Sequence, residues 1–271
     1  MTSREPFGAF PLPLDARALW RLATSARLSS AAKRRVRRLI RDRARYRGPF
    51  DVEAENMKFR LYPAENYDDR ILVGRERLPE PEEHGWLEGR LRGGAFVDVG
   101  ANVGTFSVFA GLRGAKVVAF EPHPRTVRKL RFNLDANGVD AVVEEAACGP
   151  EARMTLWSDG GGNVGGTSLL SEATSNARIA HDVAVRPLTG VLEEHGVTRI
   201  DALKIDVEGF EDRALAPFLD AAPDHLLPAA IVLEREHAHL WEADLDGALA
   251  ARGYARRERT RLNELWERRV A

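Results

Sequence analysis

The sequence of 271 residues lacks the features that define several protein classes. It has one cysteine, Cys148, which excludes an intrachain disulfide and a cysteine-based metal cluster. Its apolar runs are far shorter than the roughly 18 residues that a membrane span needs. The N-terminus also lacks the compact apolar core of a secretory signal. We therefore expect a cytoplasmic protein in which Cys148 packs rather than reacts.

Net charge is also small, because two opposite excesses cancel. Residues 1–50 contain 13 basic and three acidic residues, so they carry +10, and the total of −1 leaves −11 for the remainder. The densest stretch, residues 33–47, has nine basic residues and one acid. Such a basic arm can meet nucleic acid, an anionic membrane or an acidic substrate, or it can dock on an acidic surface of the protein or of a partner subunit. Few aromatics interleave with the arginines, so base stacking is poorly supported.

The hydrophobic pattern predicts an N-terminal extension followed by one α/β domain. Residues 1–49 form a basic extension with predicted helices over 16–28 and 31–46. Residues 50–93 form a lead-in to that domain, with short strands predicted up to residue 73 and a short helix after them. In residues 94–271, helices alternate with buried strands at 95–99, 116–120, 141–146, 202–205 and 230–233, followed by an antiparallel pair at 254–259 and 262–268. This alternation predicts a mostly parallel, doubly wound sheet with helices on both faces.

One segment interrupts the alternation. Residues 158–180 are rich in glycine, serine, asparagine and threonine. A long irregular insert in a compact domain is usually functional or disordered. We interpret it as a flap over the functional site.

The most informative stretch of the chain is Phe96-Val-Asp-Val-Gly-Ala-Asn-Val-Gly-Thr105, with Glu121 following 17 residues after Gly104. It predicts a buried strand, a glycine turn and a helix start, and then a second strand that ends in a carboxylate. That arrangement is typical of a nucleoside-binding site. Asn102 stands where a dinucleotide motif has its second glycine, and a side chain there would crowd a pyrophosphate. The spacing therefore favours a ligand without phosphates, such as S-adenosylmethionine.

Each residue of this stretch has an expected role. Asp98 can attract the ammonium or sulfonium of the ligand, and Glu121 can accept hydrogen bonds from both ribose hydroxyls. The loop amides can approach the amino-acid tail. The alternatives are that Asp98 caps the next helix and that Glu121 is a surface charge at a strand end. The predicted cofactor-binding residues are Asp98, Gly100, Asn102, Gly104, Thr105 and Glu121, with His123 and Ala147 as candidates for the adenine pocket.

A second dense signal is Ala202-Leu-Lys-Ile-Asp-Val-Glu-Gly-Phe-Glu211. In a doubly wound sheet this strand lies beside the first one, so its carboxyl end faces the reactive end of the cofactor. Asp206 or Glu208 is then the candidate general base, and Lys204 the residue that tunes or positions it. The alternative is a structural ion pair between strand ends.

The end of the next predicted strand adds Glu234 and, three residues later, His237. Glu234 could join Asp206 around a divalent cation or around the acceptor hydroxyl, and His237 is a second candidate base. Carboxylates at strand tips are not a specific metal signature. We therefore predict no metal site and leave open whether a divalent cation is required.

Both motif stretches, together with Val118-Ala-Phe-Glu-Pro122 and Ala146-Ala-Cys-Gly149, closely resemble the FkbM-family methyltransferases over roughly residues 94–236. Val232-Leu-Glu234 is a weaker match. The resemblance implies a Rossmann-like class I methyltransferase fold with a seven-stranded sheet and S-adenosylmethionine as the cofactor. It also implies O-methylation of a hydroxyl on a sugar, glycan or secondary metabolite. The basic arm lies outside the family core, and the family pattern does not fix the catalytic residues.

Three other interpretations remain. The chain could be an RNA methyltransferase that uses the basic arm, a dehydrogenase, or a non-catalytic module that binds a nucleoside. Asn102 argues against the dehydrogenase, and the charged residues beside the pocket argue for chemistry. We expect a small-molecule or glycan acceptor rather than nucleic acid, and we leave open whether the chain forms a homo-oligomer.

Overall fold

The computed structural model describes residues 5–159, 167–174 and 177–269. Within these ranges, none of the helices combines the length and the apolar character that crossing a lipid bilayer requires.

The N-terminal third is built from helices around a small hairpin. Its elements are α1 (Leu14–Thr24), α2 (Ser30–Arg41), β1 (Phe50–Ala54), β2 (Met57–Leu61), α3 (Tyr67–Arg75) and α4 (Pro81–Glu88). The prediction of short strands up to residue 73 is wrong after Leu61, because Asn66 starts a helix. Its side chain accepts a hydrogen bond from the amide of Asp68 at 2.9 Å, which caps the N-terminus of α3.

The remainder alternates strands and helices, as expected. Its elements are β3 (Ala95–Val99), α5 (Thr105–Gly111), β4 (Lys116–Phe120), α6 (Pro124–Ala136), β5 (Ala141–Glu144), β6 (Ala147–Cys148), β7 (Ala152–Asp159), β8 (Ala177–Arg186), α7 (Leu188–Glu194), β9 (Ile200–Ile205), α8 (Glu211–Ala221), β10 (Ala230–Glu234), α9 (Leu245–Ala251), β11 (Tyr254–Arg259) and β12 (Asn263–Arg268). The main sheet has the strand order β11-β12-β10-β9-β3-β4-β5. The neighbours from β10 to β5 are parallel, and β12 runs antiparallel to β10 and β11. The predicted α/β fold with a mostly parallel seven-stranded sheet is confirmed.

A hydrophobic cluster lies on each face of the main sheet. One joins residues of five elements, Trp20 of α1, Phe59 of β2, Leu72 of α3, Phe106 of α5 and Leu130 of α6. The other is built from α7, α8, α9 and the smaller sheet against the opposite face. Because β3 lies at the centre and is buried along its whole length, it reads in sequence as a continuous apolar run interrupted only by Asp98.

The predicted flap, residues 158–180, is partly a hairpin. Ser158 and Asp159 end β7 and residues 177–180 begin β8, which pairs with β7 antiparallel; together with β6 they form a separate three-stranded sheet. Ser168 pairs with Trp157 through both backbone groups, and its hydroxyl donates to the carbonyl of Glu208 at 2.7 Å. The described part of this segment therefore lies against the turn that carries Glu208. Residues 160–166 and 175–176 of the predicted flap lie outside the described residues.

The basic arm is exposed on α2 and the turn after it. Arg34, Arg37 and Arg41 face solvent, and Arg45 forms an ion pair with Asp15 of α1. Within the described residues these contacts do not support docking of the arm along an acidic surface of the same chain.

A buried ion pair ties the extreme N-terminus to the hairpin and to α6. Arg60 of β2 is 1% exposed, and its guanidinium donates to both carboxylate oxygens of Asp51 at 2.7 and 2.8 Å. It also donates to the carbonyls of Glu5 and Pro6 and lies 4.0 Å from the ring centroid of Phe132. Removing one partner of such a pair leaves the other charge buried without compensation.

We predict that Asp51→Ala lowers the free energy of unfolding by roughly 3–5 kcal/mol, because Arg60 keeps its buried charge and loses its carboxylate. Urea unfolding followed by circular dichroism measures the change. Glu53→Ala, an exposed acid on the same strand, is the matched control and should change stability by less than about 0.5 kcal/mol. Equal effects of the two substitutions would show that the pair does not stabilise the fold.

Candidate functional site

Four carboxylates stand in a row at the carboxyl edge of the main sheet. Glu121 directly follows β4, Asp98 lies near the end of β3, Asp206 directly follows β9, and Glu234 ends β10. These four strands are consecutive neighbours in the sheet, and adjacent strands lie about 4.8 Å apart. We call this row the acidic edge. The sheet thus brings the predicted cofactor residues and the predicted catalytic residues to one side of the molecule.

The loop after β3 is fastened to the end of β4 through Glu121. The backbone amide of Asn102 donates to one carboxylate oxygen of Glu121 at 3.0 Å, and the amide of His123 donates to the other at 2.9 Å. The amides of Gly100 and Ala101 both donate to the carbonyl of Phe120. Burial raises the pKa of Glu121 to about 7, although the two amides lower it. The glycine turn and the strand-end acid therefore form one unit.

The side chain of Asn102 faces the lead-in. Its oxygen accepts a hydrogen bond from the amide of Asn66 at 2.6 Å, and its nitrogen donates to Asp68 at 3.0 Å. Asn102 adopts a left-handed backbone conformation with φ of 51°, which asparagine tolerates better than most residues. The side chain at this position thus holds the loop in place. Asn66 and Asp68 were missed from the sequence because this contact is tertiary, although Asn66 followed by two acids is a recognisable helix start.

Two glycines of the loop are required by close packing. A β-carbon on Gly100 would lie 1.9 Å from the backbone oxygen of Asp206, and one on Gly104 would lie 2.6 Å from a methyl group of Leu130. Both glycines have a positive φ, at 82° and 90°. The loop therefore lies directly against the end of β9, which places the predicted cofactor motif beside the predicted catalytic motif.

Lys204 is a buried ammonium between the two motifs. It is the register partner of Asp98 on the adjacent strand, and its Nζ lies 3.2 Å from Asp206 Oδ2 and 3.4 Å from the carbonyl of Gly100. Burial lowers the pKa of Lys204, but Asp206, Asp98 and Glu80 together raise it above its ordinary value. Lys204 therefore stays protonated, and it can position Asp206 but cannot act as a base.

Asp98 is fully buried and only partly satisfied. One oxygen accepts a hydrogen bond from the hydroxyl of Ser107 at 2.6 Å, whereas Asp98 Oδ1 has no hydrogen-bond partner among the described residues. Burial raises the pKa of Asp98, and the charge of Lys204 opposes that rise. A buried carboxylate oxygen without a donor is suited to a cationic ligand group.

The predicted base candidates lie at the other half of the acidic edge. Burial and the charges of Asp206 and Glu211 raise the pKa of Glu208 to about 8, and Glu208 Oε2 lies 3.3 Å from Nδ1 of His237. Burial, with the charge of Asp206 as the second-largest cause, raises the pKa of Glu234 to about 9. Glu208 also has a left-handed backbone with φ of 54°. At neutral pH, carboxyl groups with such raised pKa values are mostly protonated; once ionised, they are stronger bases than an ordinary carboxylate.

Glu211 belongs to the same group of acids, although it was not among the predicted site residues. Its carboxylate accepts hydrogen bonds from the amides of Val207 and Gly209 at 2.9 and 3.1 Å and from the indole of Trp241 at 2.8 Å. It closes the turn after β9. The acid lies within the second motif, but no spacing in the sequence shows that it turns back toward Asp206.

The other predicted cofactor residues have structural contacts of their own. Thr105 starts α5 and is buried. Nδ1 of His123 accepts a hydrogen bond from the amide of Arg125 at 3.2 Å, which caps α6, and burial lowers the pKa of His123 to about 4. Ala147 lies in β6 and pairs with Val185 of β8. Roles for His123 and Ala147 in an adenine pocket stay predictions.

Gly100→Ala should disrupt the site far more than Gly114→Ala, which is a matched control. The two glycines share a φ of 82°, but a β-carbon on Gly114 meets nothing within 4 Å. Both substitutions should cost roughly 1–2 kcal/mol for the left-handed backbone. Gly100→Ala should lose a further 1–3 kcal/mol, roughly, because the methyl group strikes the backbone of Asp206. Equal losses in urea unfolding would show that the loop does not depend on this close approach.

Burial of Glu121 predicts a pH-dependent contribution to stability. Its pKa in the folded protein, about 7, exceeds the ordinary value of 4.5. Between these values the unfolded chain has released a proton that the folded protein keeps, so the contribution is fully present below about pH 4.5 and is lost as the pH rises to about 7. The free energy of unfolding of the wild type, relative to Glu121→Gln, should therefore fall as the pH rises from about 4.5 to about 7. A difference that does not change with pH would contradict this.

The strand order, with an antiparallel β12 between β10 and β11, and the glycine turn after β3 define a Rossmann-like α/β fold. Residues 98–256, more than half of the chain, match the family described as "Methyltransferase FkbM domain". The chain belongs to the FkbM methyltransferase family, and the resemblance seen in the sequence is confirmed. The fold is that of a class I methyltransferase.

Curated relatives agree with this assignment. The 31-O-demethyl-FK506 methyltransferase FkbM of Streptomyces tacrolimicus is 35% identical over 162 residues, which cover 48% of this chain and 62% of that protein. The methyltransferase sdnD of Sordaria araneosa is 32% identical over 146 residues, covering 42% of this chain and 56% of that protein. The chain thus spans less than two thirds of either relative. Among solved structures, the chain is similar to a Pyrococcus abyssi tRNA (uracil-54, C5)-methyltransferase in complex with S-adenosyl-L-homocysteine. The TM-score is 0.43 and the identity 15%, and the match covers 80% of this chain and 43% of that one. This similarity is too distant to inform function.

Proposed function

We propose that this methyltransferase uses S-adenosylmethionine to methylate a hydroxyl of a sugar, glycan or secondary metabolite. The observation that carries the proposal is the contact between the amide of Asn102 and the carboxylate of Glu121. It joins the glycine turn to a strand-end acid, directly beside the motif that bears Asp206. A nucleoside donor and an acceptor could therefore meet across the ends of β3 and β9.

The residues at the donor half fit S-adenosylmethionine. Each oxygen of Glu121 accepts one backbone amide, and a carboxylate oxygen keeps a further lone pair for a ribose hydroxyl. Asp98 Oδ1 lacks a donor within the described residues. A cation is the ligand charge that this arrangement favours, and the sulfonium and ammonium of S-adenosylmethionine supply it.

The acceptor half fits a hydroxyl that must lose a proton. S-adenosylmethionine supplies a methyl group that is already activated, so the protein has to align the acceptor and exclude water. A hydroxyl is a poor nucleophile, and a positioned base contributes about 10²–10⁴-fold to the rate. We assign that role to Asp206 with Glu208. Lys204, 3.2 Å from Asp206, positions the carboxylate, and Glu234 lies at the next strand end.

The name of one relative supports the acceptor class. The FkbM methyltransferase of Streptomyces tacrolimicus is named for a demethylated oxygen position of FK506. This name supports a small metabolite with a free hydroxyl. The exposure of the basic arm alone does not favour RNA as the acceptor.

The donor site can be tested by calorimetry. The wild type should bind S-adenosylmethionine and S-adenosylhomocysteine, and Glu121→Ala should weaken both by about 10–100-fold, because it removes two charge-assisted hydrogen bonds to the ribose. Glu145→Ala, an exposed acid just after β5, is the control and should bind normally. Binding of NAD in preference to S-adenosylmethionine would refute the proposed donor.

The proposed base can be tested separately. Asp206→Asn should reduce turnover by about 10²–10⁴-fold on any accepted hydroxyl, while S-adenosylmethionine still binds with an affinity within a few-fold of the wild type. Single-turnover transfer of a labelled methyl group measures the first, and calorimetry the second. Unchanged turnover would remove Asp206 from the mechanism.

A further inference from the structure

Three carboxylates converge on one point at the acceptor half of the acidic edge. Asp206, Glu211 and Glu234 each offer an oxygen, and these three oxygens all lie within 4.8 Å of one another. Ligands on opposite sides of a Mg²⁺ ion lie about 4.2 Å apart, and around Ca²⁺ about 4.6–5.2 Å. The 4.8 Å limit falls within the span of a Ca²⁺ shell, and the smaller span of Mg²⁺ would need the oxygens to close by up to about 0.6 Å.

Glu234 supplies an independent indication that something is bound there. It is 5% exposed. One of its oxygens accepts a hydrogen bond from the amide of Glu236, whereas Oε2 has no hydrogen-bond partner among the described residues. A buried, ionised oxygen without a partner is costly, and a bound cation or a proton removes that cost.

The other two acids have the complementary properties of a built site. Glu211 is fixed by three donors, the amides of Val207 and Gly209 and the indole of Trp241, and outer hydrogen bonds of this kind orient metal ligands. The side chain of Asp206 is 31% exposed, which leaves a path from solvent and room for further ligands. Lys204 forms an ion pair with Asp206. This pair brings one positive charge to a group of three carboxylates.

From this geometry we infer that Asp206, Glu211 and Glu234 bind a hard divalent cation such as Ca²⁺, Mg²⁺ or Mn²⁺. All three ligands are oxygens, which such ions prefer to softer donors. The role of the ion rests on the proposed function, because a cation between the ends of β9 and β10 lies where the acceptor hydroxyl is expected. There it would orient the acceptor oxygen and favour loss of its proton to the neighbouring Glu208. The competing explanation of the same geometry is a proton shared between Glu234 and Asp206.

Titration with Mn²⁺ tests the site without any methyl transfer. The full chain is stripped with EDTA, exchanged into chelator-free buffer, and titrated with Mn²⁺ alone while electron paramagnetic resonance follows the free ion. We expect saturation at one Mn²⁺ per chain and displacement by Mg²⁺. Losing an outer hydrogen bond to a metal ligand costs about 10–100-fold in affinity, so Glu234→Gln, which removes a ligand charge, should weaken binding by at least about tenfold.

Asp201→Asn is the matched control. Asp201 is a buried acid, 4% exposed, near the start of the same strand β9 and thus at the opposite edge of the sheet. This variant should bind Mn²⁺ as the wild type does. Asp206→Asn, at a half-buried position, should also weaken binding. It serves as the test variant if circular dichroism shows that Glu234→Gln does not fold. Absence of saturable binding, or equal binding by wild type and folded test variant, would overturn the inference in favour of the shared proton.

Calorimetry with S-adenosylmethionine in EDTA separates this inference from the proposed function. Donor binding without Mn²⁺ binding would overturn the cation site and leave the methyl-donor proposal standing. Mn²⁺ binding by a chain that does not bind S-adenosylmethionine would support the cation site and overturn the proposed donor.

Discussion

The carboxylate of Glu121 is the contact on which the site depends. It accepts amides from the loop after β3 and from the loop after β4, at Asn102 and His123. Through the side chain of Asn102 the same connection continues to Asn66 and Asp68 of the lead-in. One buried acid thus fixes the loops after β3 and β4. Through Asn102 it also fixes the start of α3, which lies outside the matched family region. Such preorganisation lowers the entropic cost of binding, since the loop is ordered before the ligand arrives.

The acidic edge illustrates how function opposes stability. Burial raises the pKa values of Glu121, Glu208 and Glu234 to about 7, 8 and 9. Each therefore makes the folded state less favourable as the pH rises past its ordinary pKa. Strained or repelling groups of this kind are typical of functional sites, where a ligand relieves the repulsion. A cationic donor at one half of the edge and a proton or cation at the other would do so.

The sequence predicts the centre of this structure better than its margins. Buried central strands such as β3 and β4 have continuous apolar runs, and their bounds, 95–99 and 116–120, agree with the predicted ones. The hairpin of β7 and β8 could not be predicted from the sequence, because its strands continue into a polar insert without a clear hydrophobic pattern. Asn66, Asp68 and Glu211 were missed for a different reason: each acts through a partner that is distant in sequence or reached by a turn, and local spacing does not encode such contacts.

A crystal structure with S-adenosylhomocysteine tests the central claim most directly. The ribose hydroxyls should lie within hydrogen-bond distance of the Glu121 carboxylate, the amino-acid tail should cross the loop from Gly100 to Gly104, and the sulfur should point toward Asp206. A nucleoside bound elsewhere, with Glu121 still holding only the two loop amides, would contradict the assignment of this cleft as the methyl-donor site.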